Sequence, residues 1–336
     1  MKLLRYIFFP IVPIYHCITW LRNKGFDMGI LDSTAYDFPV ICVGNLSVGG
    51  TGKTPMIEYL IKLLSPQFHV ATLSRGYKRK SEGFQIGKMD ITVEELGDEP
   101  FQFYTKFKNK ITVAVDANRR EGIAKLMQLR PKPDVILLDD AFQHRKVQAG
   151  LNILLTTYSN LYTSDFVLPT GDLREPKSGA KRAQLIVVTK CPEYLDEAEK
   201  NSIVQTINPE TEQQVFFSRI KYADEVVSKG KQLPLLSLPK FTLITGIANP
   251  TPLVEFLKEQ HLEFNHLNFK DHYHFTAEDI STFDALDFIV TTEKDYMRLM
   301  QYPSLENKLY YLSIEAVIDK PEQFNAAVLQ FAGLPA

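Results

Sequence analysis

A glycine-rich stretch near the start of the chain, VGNLSVGGTGKTP at residues 43–55, restricts the possible folds more than any other part of the sequence. It follows an apolar run and precedes MIEYLIKLL, which has the apolar spacing of a helix. Strand, glycine-rich turn and helix, in this order, are the setting in which a G-x-x-x-x-G-K-[ST] loop binds phosphate. Ser47 replaces the first glycine of the pattern, at the start of the loop and outside its tightest part, so we expect this difference to be tolerated. The stretch predicts a nucleotide site formed by Ser47, Val48, Gly49, Gly50, Thr51, Gly52, Lys53 and Thr54.

The chemistry expected of this loop follows from its residue types. Its glycines let backbone N–H groups turn toward phosphate oxygens, and the helix that follows presents its positive N-terminal end. Lys53 is expected to reach the β- and γ-phosphates of the nucleotide, and Thr54 to hold Mg²⁺. A related loop, K-G-G-x-G-K-[ST], is typical of dimeric switch ATPases that reach across to their partner with the first lysine. Val48 occupies that lysine position, which argues against such an ATPase.

A second set of polar residues follows an apolar run in DVILLDD, residues 134–140. Asp139 and Asp140 would stand at the carboxyl end of a strand beside the loop, where carboxylates hold Mg²⁺ directly or through water. The alternative is a strand that ends in ordinary polar turn residues. Three residues of the same turn are candidates for contact with a substrate, namely Gln143, His144 and Arg145.

Short runs of Val, Ile and Leu alternate with helix-like segments up to about residue 210. Such strands are typical of a sheet buried on both faces, and the alternation indicates a P-loop kinase-like α/β fold with a doubly wound, mainly parallel sheet. A second, smaller α/β unit is predicted to follow, and residues 215–227 and 309–317 would pair as a two-stranded connection between the units. The predicted domains are an N-terminal interfacial membrane segment (1–25), a P-loop nucleotide and lipid-substrate domain (26–210) and a smaller C-terminal α/β domain (211–336).

The N-terminus carries an apolar run over residues 7–20, flanked on both sides by Lys and Arg. These 14 residues are too few for a helix that crosses a membrane, which needs about 20 residues. Pro10 and Pro13 are expected to interrupt a regular helix. An apolar, aromatic-rich segment with cationic flanks is typical of one that lies in the interface of an anionic membrane. A buried helix of the domain, a signal peptide and a spanning segment are the alternatives.

The composition excludes several other classes of protein. A net charge of −2 over 336 residues is unlike a general nucleic-acid-binding protein, which needs a concentrated excess of Lys and Arg. Three cysteines without a C-x-x-C spacing indicate neither a disulfide framework nor a zinc site. We therefore expect no nucleic-acid partner and, as the metal, Mg²⁺ held by oxygen atoms. The sequence gives no sign of an obligate protein partner.

Two further motifs carry residues suited to acid–base chemistry. In LGDEP, residues 96–100, Asp98 stands at a predicted helix start. It either caps that helix or is a carboxylate that orients an acceptor hydroxyl in phosphoryl transfer. In FKDHYHFT, residues 269–276, a histidine that meets a carboxylate of the first domain would complete an acid–base pair. His272 and His274 are both candidates, and the alternative is two surface histidines without a function.

Together these motifs resemble those of one family. GNLSVGGTGKTP, LSRGYKR, GDEP, DDAFQHR, LPTGDLREP, VTK, DHYHF and TTEKD occur in the order of the tetraacyldisaccharide 4'-kinases, the lipid A 4'-kinases of Gram-negative bacteria, across nearly the whole chain. SRGY and DD-x-FQHR after such a loop are not shared by P-loop proteins in general. Ala141 and Asp172 depart from the family's pattern, in which glycine and proline are usual.

The resemblance implies an enzyme that uses ATP and Mg²⁺ to phosphorylate the 4'-hydroxyl of a lipid A disaccharide 1-phosphate and so forms lipid IVA. It implies a peripheral position at the cytoplasmic face of the bacterial inner membrane. It also implies Asp98 as the base with His272 as its partner, and a magnesium region formed by Thr54, Asp139 and Asp140. The candidates for binding substrate or nucleotide phosphates are basic residues of the motifs, Arg75, Arg79, Arg119, Arg120 and Arg174.

A membrane-attached P-loop NTPase switch protein is the alternative function. A GTPase of that kind would carry N-K-x-D after a strand, whereas the comparable strand here ends in VTKCPEY, residues 188–194, without the required aspartate. A soluble small-molecule kinase of the same loop class would leave the apolar N-terminus unexplained.

Overall fold

The computed structural model describes residues 3–334, so the first two and last two residues of the predicted outer segments lie outside the described part of the chain. Its α-helices are α1 (Val12–Asp27), α2 (Lys53–Leu64), α3 (Val93–Leu96), α4 (Asp98–Phe107), α5 (Arg119–Leu126), α6 (Glu197–Ile207), α7 (Thr251–Glu259), α8 (Ala277–Asp284), α9 (Glu293–Leu299) and α10 (Pro321–Ala332). Its strands are β1 (Val40–Asn45), β2 (Val70–Ser74), β3 (Gln85–Ile86), β4 (Ile111–Val115), β5 (Val135–Asp139), β6 (Leu151–Thr157), β7 (Leu185–Thr189), β8 (Gln214–Ser228), β9 (Lys231–Pro234), β10 (Phe241–Thr245), β11 (Phe264–Asn268), β12 (Ile289–Thr292) and β13 (Leu309–Ile318). Its 3₁₀ helices cover Leu3–Ile11, Lys108–Lys110, Tyr162–Ser164, Lys177–Arg182, Leu235–Ser237 and Pro303–Leu305.

The strands of the described chain pair into one sheet of 13 strands. Their order is β11-β10-β12-β13-β8-β7-β6-β1-β5-β2-β4-β3, and β9 pairs with β8 outside this path. β1, β2, β5 and β7 are buried along their whole length, as their continuous Val, Ile and Leu runs require. Neighbouring strands from β8 to β4 run parallel. The predicted fold class, a doubly wound and mainly parallel α/β sheet with a second, smaller α/β unit, is confirmed.

The long strand β8 joins the two units. Its residues 214–217 pair in parallel with β7, and its later part pairs antiparallel with β13. The predicted two-stranded connection is therefore present. Helix α10 then returns to the first unit, where the Phe324 ring lies 5.7 Å from that of Tyr59 and 5.2 Å from that of Phe216. The domain division near residue 210 stays a prediction, because β8 takes part in both units and α10, from the third predicted segment, packs on the first.

The N-terminal segment is helical. A 3₁₀ helix over Leu3–Ile11 contains Pro10, and α1 begins at Val12 with Pro13 in its first turn. The expectation that both prolines interrupt a regular helix is wrong for Pro13, because an N–H group in the first turn has no intrahelical partner to lose. None of the helices in residues 3–334 is long and apolar enough to cross a membrane.

One face of this segment is apolar and exposed. Four of its residues follow one another at intervals of three or four, the spacing of a single helix face. We call them the apolar stripe: Ile11, Ile14, Ile18 and Leu21. Ile14 and Ile18, in the middle of the stripe, are 62% and 61% exposed. A soluble protein rarely leaves such a contiguous apolar surface in water, so the stripe indicates a surface that is covered in use.

Other residues of the segment attach it to the body of the protein. The Tyr15 hydroxyl donates to the carbonyl of Arg174 over 3.0 Å. The Arg5 Nη1 atom lies 2.6 Å from Oδ1 of Asp172. Asp172, which replaces the family's usual proline, thus forms an ion pair with the N-terminal segment.

A buried ionic network connects the first unit to α9. The Lys106 ammonium on α4 lies 2.7 Å from a carboxylate oxygen of Glu58 on α2 and 2.7 Å from one of Glu293 on α9. The Gln102 amide also donates to Glu58 over 2.8 Å. Two buried carboxylates therefore share one ammonium, and burial and the charge of Glu58 raise the pKa of Glu293 to about 7.

We expect this network to make folding stability depend on pH. Unfolded glutamate has a pKa of about 4.3, so above that pH the folded state binds a proton that the unfolded state does not. The free energy of unfolding should therefore fall as pH rises toward about 7, the pKa of folded Glu293. Glu293→Gln should reduce that fall by on the order of 1–3 kcal/mol between pH 5 and 8. Urea unfolding at a series of pH values measures it.

The matched control is Glu306→Gln, because Glu306 forms an exposed ion pair with Lys229 in the same unit. Exposed pairs contribute little to stability. The free energy of unfolding of this variant should depend on pH as that of the wild type does. If the free energy of unfolding falls with pH as steeply in Glu293→Gln as in the wild type, Glu293 is not the source of this pH dependence.

Candidate active site

The predicted nucleotide loop connects β1 to α2, which begins at Lys53. Gly49 and Gly52 have φ angles of +107° and +84°, in the left-handed region that glycine enters without strain. Ser47 instead forms an isolated antiparallel bridge with Leu173. That extended conformation is open to any residue and accounts for the missing first glycine. The first-turn N–H groups of α2 have no intrahelical acceptor and are available to phosphate oxygens.

Neighbouring strands and the segment before Leu173 fix the position of the loop. The Asn45 amide donates to the Thr51 hydroxyl over 2.8 Å, and the Thr189 hydroxyl donates to the Thr51 carbonyl over 2.8 Å. The Val48 N–H donates to the Asp172 carbonyl over 2.7 Å. The loop is therefore held by bonds within the protein, so binding a phosphate requires little further ordering.

The two consecutive carboxylates stand at the same edge of the sheet, because β5 ends at Asp139 beside β1. Lys53 Nζ lies 3.7 Å from Oδ1 of Asp140, and Arg174 Nη1 lies 2.9 Å from the same oxygen. The positive φ of this turn, +48°, falls on Asp140 rather than on Ala141. An alanine at the family's glycine position thus requires no unusual backbone conformation. The structure brings together Lys53, Asp140 and Arg174.

Asp139 has the environment expected of a cation ligand. Its side chain is buried, and its Oδ1 atom has no hydrogen-bond partner within the described chain. Burial, and then the charge of Asp140, raise the pKa of Asp139 to about 7. A bound cation would satisfy the unpaired oxygen and favour the ionised form. In residues 3–334 no group of three or more His, Cys, Asp or Glu side chains could hold a metal, so a cation here needs further oxygens from Thr54, nucleotide phosphates or water.

The two motifs suited to acid–base chemistry meet across the units. Asp98 is the first residue of α4, and Gly97 occupies the N-cap position, so the capping alternative does not describe its carboxylate. Instead, Asp98 Oδ2 lies 3.0 Å from Nδ1 of His272. Of the two histidines left open by the sequence, His272 makes this contact, whereas His274 lines the cavity beside it.

Two residues that the sequence did not suggest complete this cluster. Arg298 donates through Nε to Oδ1 of Asp98 over 3.1 Å and through Nη2 to Oδ2. Lys294 Nζ lies 3.0 Å from Nε2 of His272 and 3.1 Å from Oε1 of Glu99. Burial opposes ionisation of Asp98, but hydrogen bonds from His272 and Arg298 hold its pKa well below its usual range. Lys294 and Arg298 both follow β12 in TTEKDYMR. Polar residues after a strand are the sequence signal that would have indicated them.

A cavity of about 270 Å³ opens beside this cluster, and its lining includes Asp98, His272 and Arg298. Lys78 adds positive charge to its wall, whereas Lys80 pairs with Glu94 of the same lining over 2.7 Å. Several aromatic side chains add flat apolar surface, namely Tyr77, Tyr273, Phe275 and Tyr302. Cationic, aromatic and hydrogen-bonding groups around a carboxylate suit a polar ring that carries hydroxyl groups.

The predicted phosphate-binding arginines are not all gathered in one place. Arg119 is buried, and burial lowers its pKa to about 10 although the charge of Asp139 opposes this. Arg79 donates to the carbonyl of Gly83 in its own loop. Arg75 is exposed. Of this set, Arg119 and Arg174 interact with the carboxylate pair.

The predicted substrate contacts after β5 divide in a similar way. The Gln143 amide donates to the Asn45 carbonyl over 2.8 Å and to Oε1 of Glu175 over 2.9 Å, so it connects parts of the protein. His144 and Arg145 line a second cavity next to α1. Arg120 of α5, one of the predicted phosphate-binding arginines, lines the same cavity.

Glu175 is a further residue that the sequence did not suggest. It is 2% exposed and accepts hydrogen bonds from Asn23 (2.6 Å), Gln143 (2.9 Å) and Arg182 (2.8 Å). A buried carboxylate with three donors is strongly fixed. It joins α1 to the turn after β5. The signal was its place beside Arg174 in the LREP motif.

Comparison with known proteins gives consistent results. The family model described as Tetraacyldisaccharide-1-P 4'-kinase matches residues 4–332. A tetraacyldisaccharide 4'-kinase of Flavobacterium johnsoniae is 50% identical over 98% of both chains, and one of Bacteroides thetaiotaomicron is 44% identical over 96% of this chain and 92% of its own. A crystal structure of LpxK from Aquifex aeolicus, in complex with ATP, superposes with a TM-score of 0.78 at 31% identity and covers 98% of this chain and 99% of that one.

Proposed function

Since this chain belongs to the tetraacyldisaccharide-1-P 4'-kinase family, we propose that Asp98 and His272 act on the hydroxyl of its lipid substrate while residues 47–54 hold ATP. The enzyme is a kinase of lipid A biosynthesis. It transfers the γ-phosphate of ATP to the 4'-hydroxyl of a tetraacyldisaccharide 1-phosphate and forms lipid IVA. The alternative of a P-loop NTPase switch is set aside, because the match to the kinases extends over nearly the whole chain.

ATP is bound at the loop, and Lys53 contacts its β- and γ-phosphates. The positive N-terminal end of α2 and the backbone N–H groups of the loop complete the phosphate contacts. Thr54, Asp139 and Asp140 are the residues that would hold Mg²⁺, and the unpaired Oδ1 of Asp139 supports this proposal. When bound there, Mg²⁺ neutralises charge that develops on the transferred phosphate.

The contact between Asp98 and His272 is the observation that carries the proposed mechanism. Asp98 accepts a hydrogen bond from the 4'-hydroxyl and aligns its oxygen with the γ-phosphorus. Because Arg298 and His272 keep this carboxylate ionised, it can take the hydroxyl proton late in the step. The new oxygen–phosphorus bond forms as the bond between the γ-phosphorus and the β–γ bridging oxygen breaks, and ADP leaves. Phosphoryl transfer proceeds through a loose transition state, so positioning of the hydroxyl matters more than early removal of its proton.

The partners of His272 fix the position of its ring. Nδ1 lies beside the carboxylate of Asp98 and Nε2 beside the ammonium of Lys294, which can only donate. Nδ1 also lies 3.1 Å from Nη2 of Arg298, so the ring is held between one carboxylate and two cationic groups. Through its contact with Asp98, His272 also helps to fix the direction of the carboxylate.

Direct assay of the full-length chain tests this function. With γ-labelled ATP, Mg²⁺ and tetraacyldisaccharide 1-phosphate, we expect a lipid product that carries phosphate at the 4' position, identified by mass spectrometry and ³¹P NMR. A lipid already phosphorylated at this position should accept nothing. ATP hydrolysis that is equal with and without lipid, and yields no phosphorylated lipid, would favour the switch NTPase.

We also propose that the enzyme lies peripherally on the cytoplasmic face of the inner membrane, through the apolar stripe and the cations beside it. Ile14 and Ile18 present exposed apolar surface, and Arg5, Arg22 and Lys24 flank the segment. Apolar burial in the interface and attraction to anionic lipids add together in this kind of attachment. This location also brings the active site to a substrate whose acyl chains are in the bilayer.

Changing the stripe should separate membrane attachment from nucleotide binding. Ile14→Asp/Ile18→Asp is expected to lower binding to vesicles of anionic phospholipid by about tenfold or more, because two charges replace side chains buried in the interface. ATP affinity should stay within about twofold, since neither side chain is part of the nucleotide loop. Vesicle sedimentation and calorimetric titration with ATP measure the two effects.

The control is Leu236→Asp, which places a charge at another exposed apolar residue (70% exposed) in the second unit. Its vesicle binding should match that of the wild type. If the control loses as much vesicle binding as the stripe variant, the net charge of the protein, rather than the apolar stripe, governs attachment.

A further inference from the structure

Asp295 is a buried carboxylate that the proposed mechanism does not use. It lies in the first turn of α9 and is 0% exposed. Thr292 caps this helix, and its hydroxyl donates to Oδ2 of Asp295 over 2.8 Å. A helix cap alone does not account for the carboxylate, because Oδ2 also accepts from the backbone N–H of Gly246 over 2.8 Å. Gly246 follows β10, so Asp295 connects α9 to a different part of the second unit.

The other oxygen of this carboxylate contacts the cluster around Asp98. Oδ1 of Asp295 accepts a hydrogen bond from Nη1 of Arg298 over 3.1 Å. Arg298 is also buried, and its Nε and Nη2 atoms donate to Asp98. One guanidinium group therefore lies between two carboxylates. Asp295 holds the nitrogen that does not contact Asp98, and so fixes the plane in which the other two nitrogens face it.

The contact with Gly246 leads to His272. The Gly246 carbonyl accepts from the backbone N–H of His272 over 3.2 Å. His272 has a φ of +57°, in the left-handed region that residues other than glycine seldom enter, and this hydrogen bond helps to hold it there. Nδ1 of its ring lies 3.0 Å from Oδ2 of Asp98. The contacts thus form a closed ring, which runs through Asp98, Arg298, Asp295, Gly246 and His272.

The buried pair of Asp295 and Arg298 is a weak source of net stability. Burial raises the pKa of Asp295, whereas the Gly246 N–H, the Thr292 hydroxyl and the charge of Arg298 act against this. Desolvation of two charges offsets much of their attraction, so such a pair contributes little to the free energy of unfolding. A carboxylate that accepts from several donors does, however, fix the geometry of its partners. Asp295 is therefore better suited to orienting Arg298 and His272 than to stabilising the fold.

We propose that Asp295 is a positioning residue for the phosphoryl transfer. It holds Arg298 and the backbone of His272, and these two residues hold the Asp98 carboxylate in the direction of the 4'-hydroxyl. The inference rests on the proposed function, in which Asp98 orients that hydroxyl. Alignment of the hydroxyl with the γ-phosphorus governs the rate of such a reaction, because a displacement of about 1 Å can lower the rate about 10²-fold.

Asp295→Asn tests the proposal, because an asparagine side chain can accept through only one of its two ends. It therefore loses either the hydrogen bond from Arg298 or those from Gly246 and Thr292. We expect kcat to fall about 10- to 100-fold, as for a displaced reacting group. KM for ATP and for the lipid should stay within about twofold, since only an interaction of the transition state is lost. Unchanged kcat in the folded variant would overturn the proposal.

The Asp98→Ala background separates positioning from a general loss of active protein. If Asp295 acts through Asp98, Asp295→Asn should lower kcat no further in this background, because the effects of residues that act as a unit are not additive. A fraction of misfolded enzyme would instead lower kcat by the same factor in both backgrounds. An equal factor in both backgrounds would therefore also overturn the proposal.

Asp319→Asn is the matched control. Like Asp295, Asp319 accepts from a backbone N–H, that of Phe217 over 3.1 Å, and pairs with a cation, Lys200, over 3.3 Å. It follows β13 and is not part of the ring of contacts described above. Its kcat should equal that of the wild type.

A second variant covers the case in which Asp295→Asn does not fold. A Cβ atom at Gly246 would lie 3.0 Å from Oδ1 of Asp295, closer than ordinary van der Waals contact. Gly246→Ala should therefore displace the carboxylate without removing its charge. We expect kcat to fall and both KM values to stay unchanged, with thermal unfolding as the measure of folding. A folded Gly246→Ala enzyme with the kcat of the wild type would contradict the proposal.

An NMR measurement without substrate keeps the inference separate from the proposed function. The chain has seven histidines, and the ring signal of His272 is the one that disappears in His272→Gln. Asp295→Asn should move this signal, and Asp319→Asn should leave it in place. If Asp98→Ala turns over normally, the proposed base is wrong, and the His272 signal still decides the role of Asp295. A signal that stays in place in Asp295→Asn overturns the inference.

Discussion

Replacing Asp98 with alanine is expected to lower kcat by about 10²–10⁴, the usual range for a positioned acid–base group. ATP affinity should hardly change, because the nucleotide loop and the Asp139–Asp140 pair are separate from this carboxylate. His272→Ala should have an effect of similar size, since its ring contacts Asp98 and helps to fix the orientation of the carboxylate. Single-turnover rates with the lipid substrate, together with calorimetric titration of ATP, measure the two quantities.

The double variant distinguishes one catalytic unit from two independent residues. If Asp98 and His272 act as a unit, removing both should be little worse than removing the more important one, because such effects are not additive. If the two residues act independently, the fold-reductions in kcat of the two single variants should multiply in the double variant.

A structural role of Asp98 gives a different result. Its carboxylate bonds to Arg298 and His272 across the two units, so its loss also affects stability. Thermal unfolding of Asp98→Ala and Asp98→Asn beside the wild type measures this contribution. A variant that melts at a lower temperature but turns over normally would end the assignment of Asp98 as the base.

Replacing Lys53 with alanine is expected to lower kcat/KM by about 10²–10³, as when one preorganised donor to a developing charge is removed. In the structure its ammonium lies 3.7 Å from Asp140, at the end of the sheet where we propose that the γ-phosphate binds. Losing the ammonium removes a contact that strengthens in the transition state. Phosphorylation rates over a range of ATP concentrations, from well below KM to saturation, measure kcat/KM and kcat separately.

Lys62→Ala is the control for this variant, because Lys62 is on the same helix and forms an exposed ion pair with Glu315. Its turnover should be that of the wild type. Near-normal turnover of Lys53→Ala would contradict the nucleotide assignment of the loop.

The local sequence pattern was sufficient to predict the first unit of the fold and the nucleotide loop. A buried parallel strand needs apolar residues on both faces, and β1, β5 and β7 have them in unbroken runs. The loop needs glycine only where φ is positive, at Gly49 and Gly52. Both requirements concern neighbours in sequence, so they can be read without knowing the tertiary structure.

The cluster around Asp98 could be predicted only in part. Its partners are distant in sequence, His272 by 174 residues and Arg298 by 200. Arg298 follows the polar TTEKD run after β12, and this position suggests a site but does not show that its partner is Asp98. Its importance arises because β8 and β13 bring α9 next to α4. The same holds for Lys106, whose buried partner Glu293 comes from the second unit.

The N-terminal helix of this enzyme is connected by hydrogen bonds to residues beside Asp140. Tyr15 donates to the backbone of Arg174, the Arg174 N–H donates to the carbonyl of Leu46, and the Arg174 guanidinium contacts Asp140. A protein shortened for crystallisation or inhibitor screening would therefore lose a hydrogen bond to Arg174, beside the proposed phosphate site, along with the proposed attachment to lipid. Inhibitors of the proposed nucleotide site are therefore better selected against the intact chain.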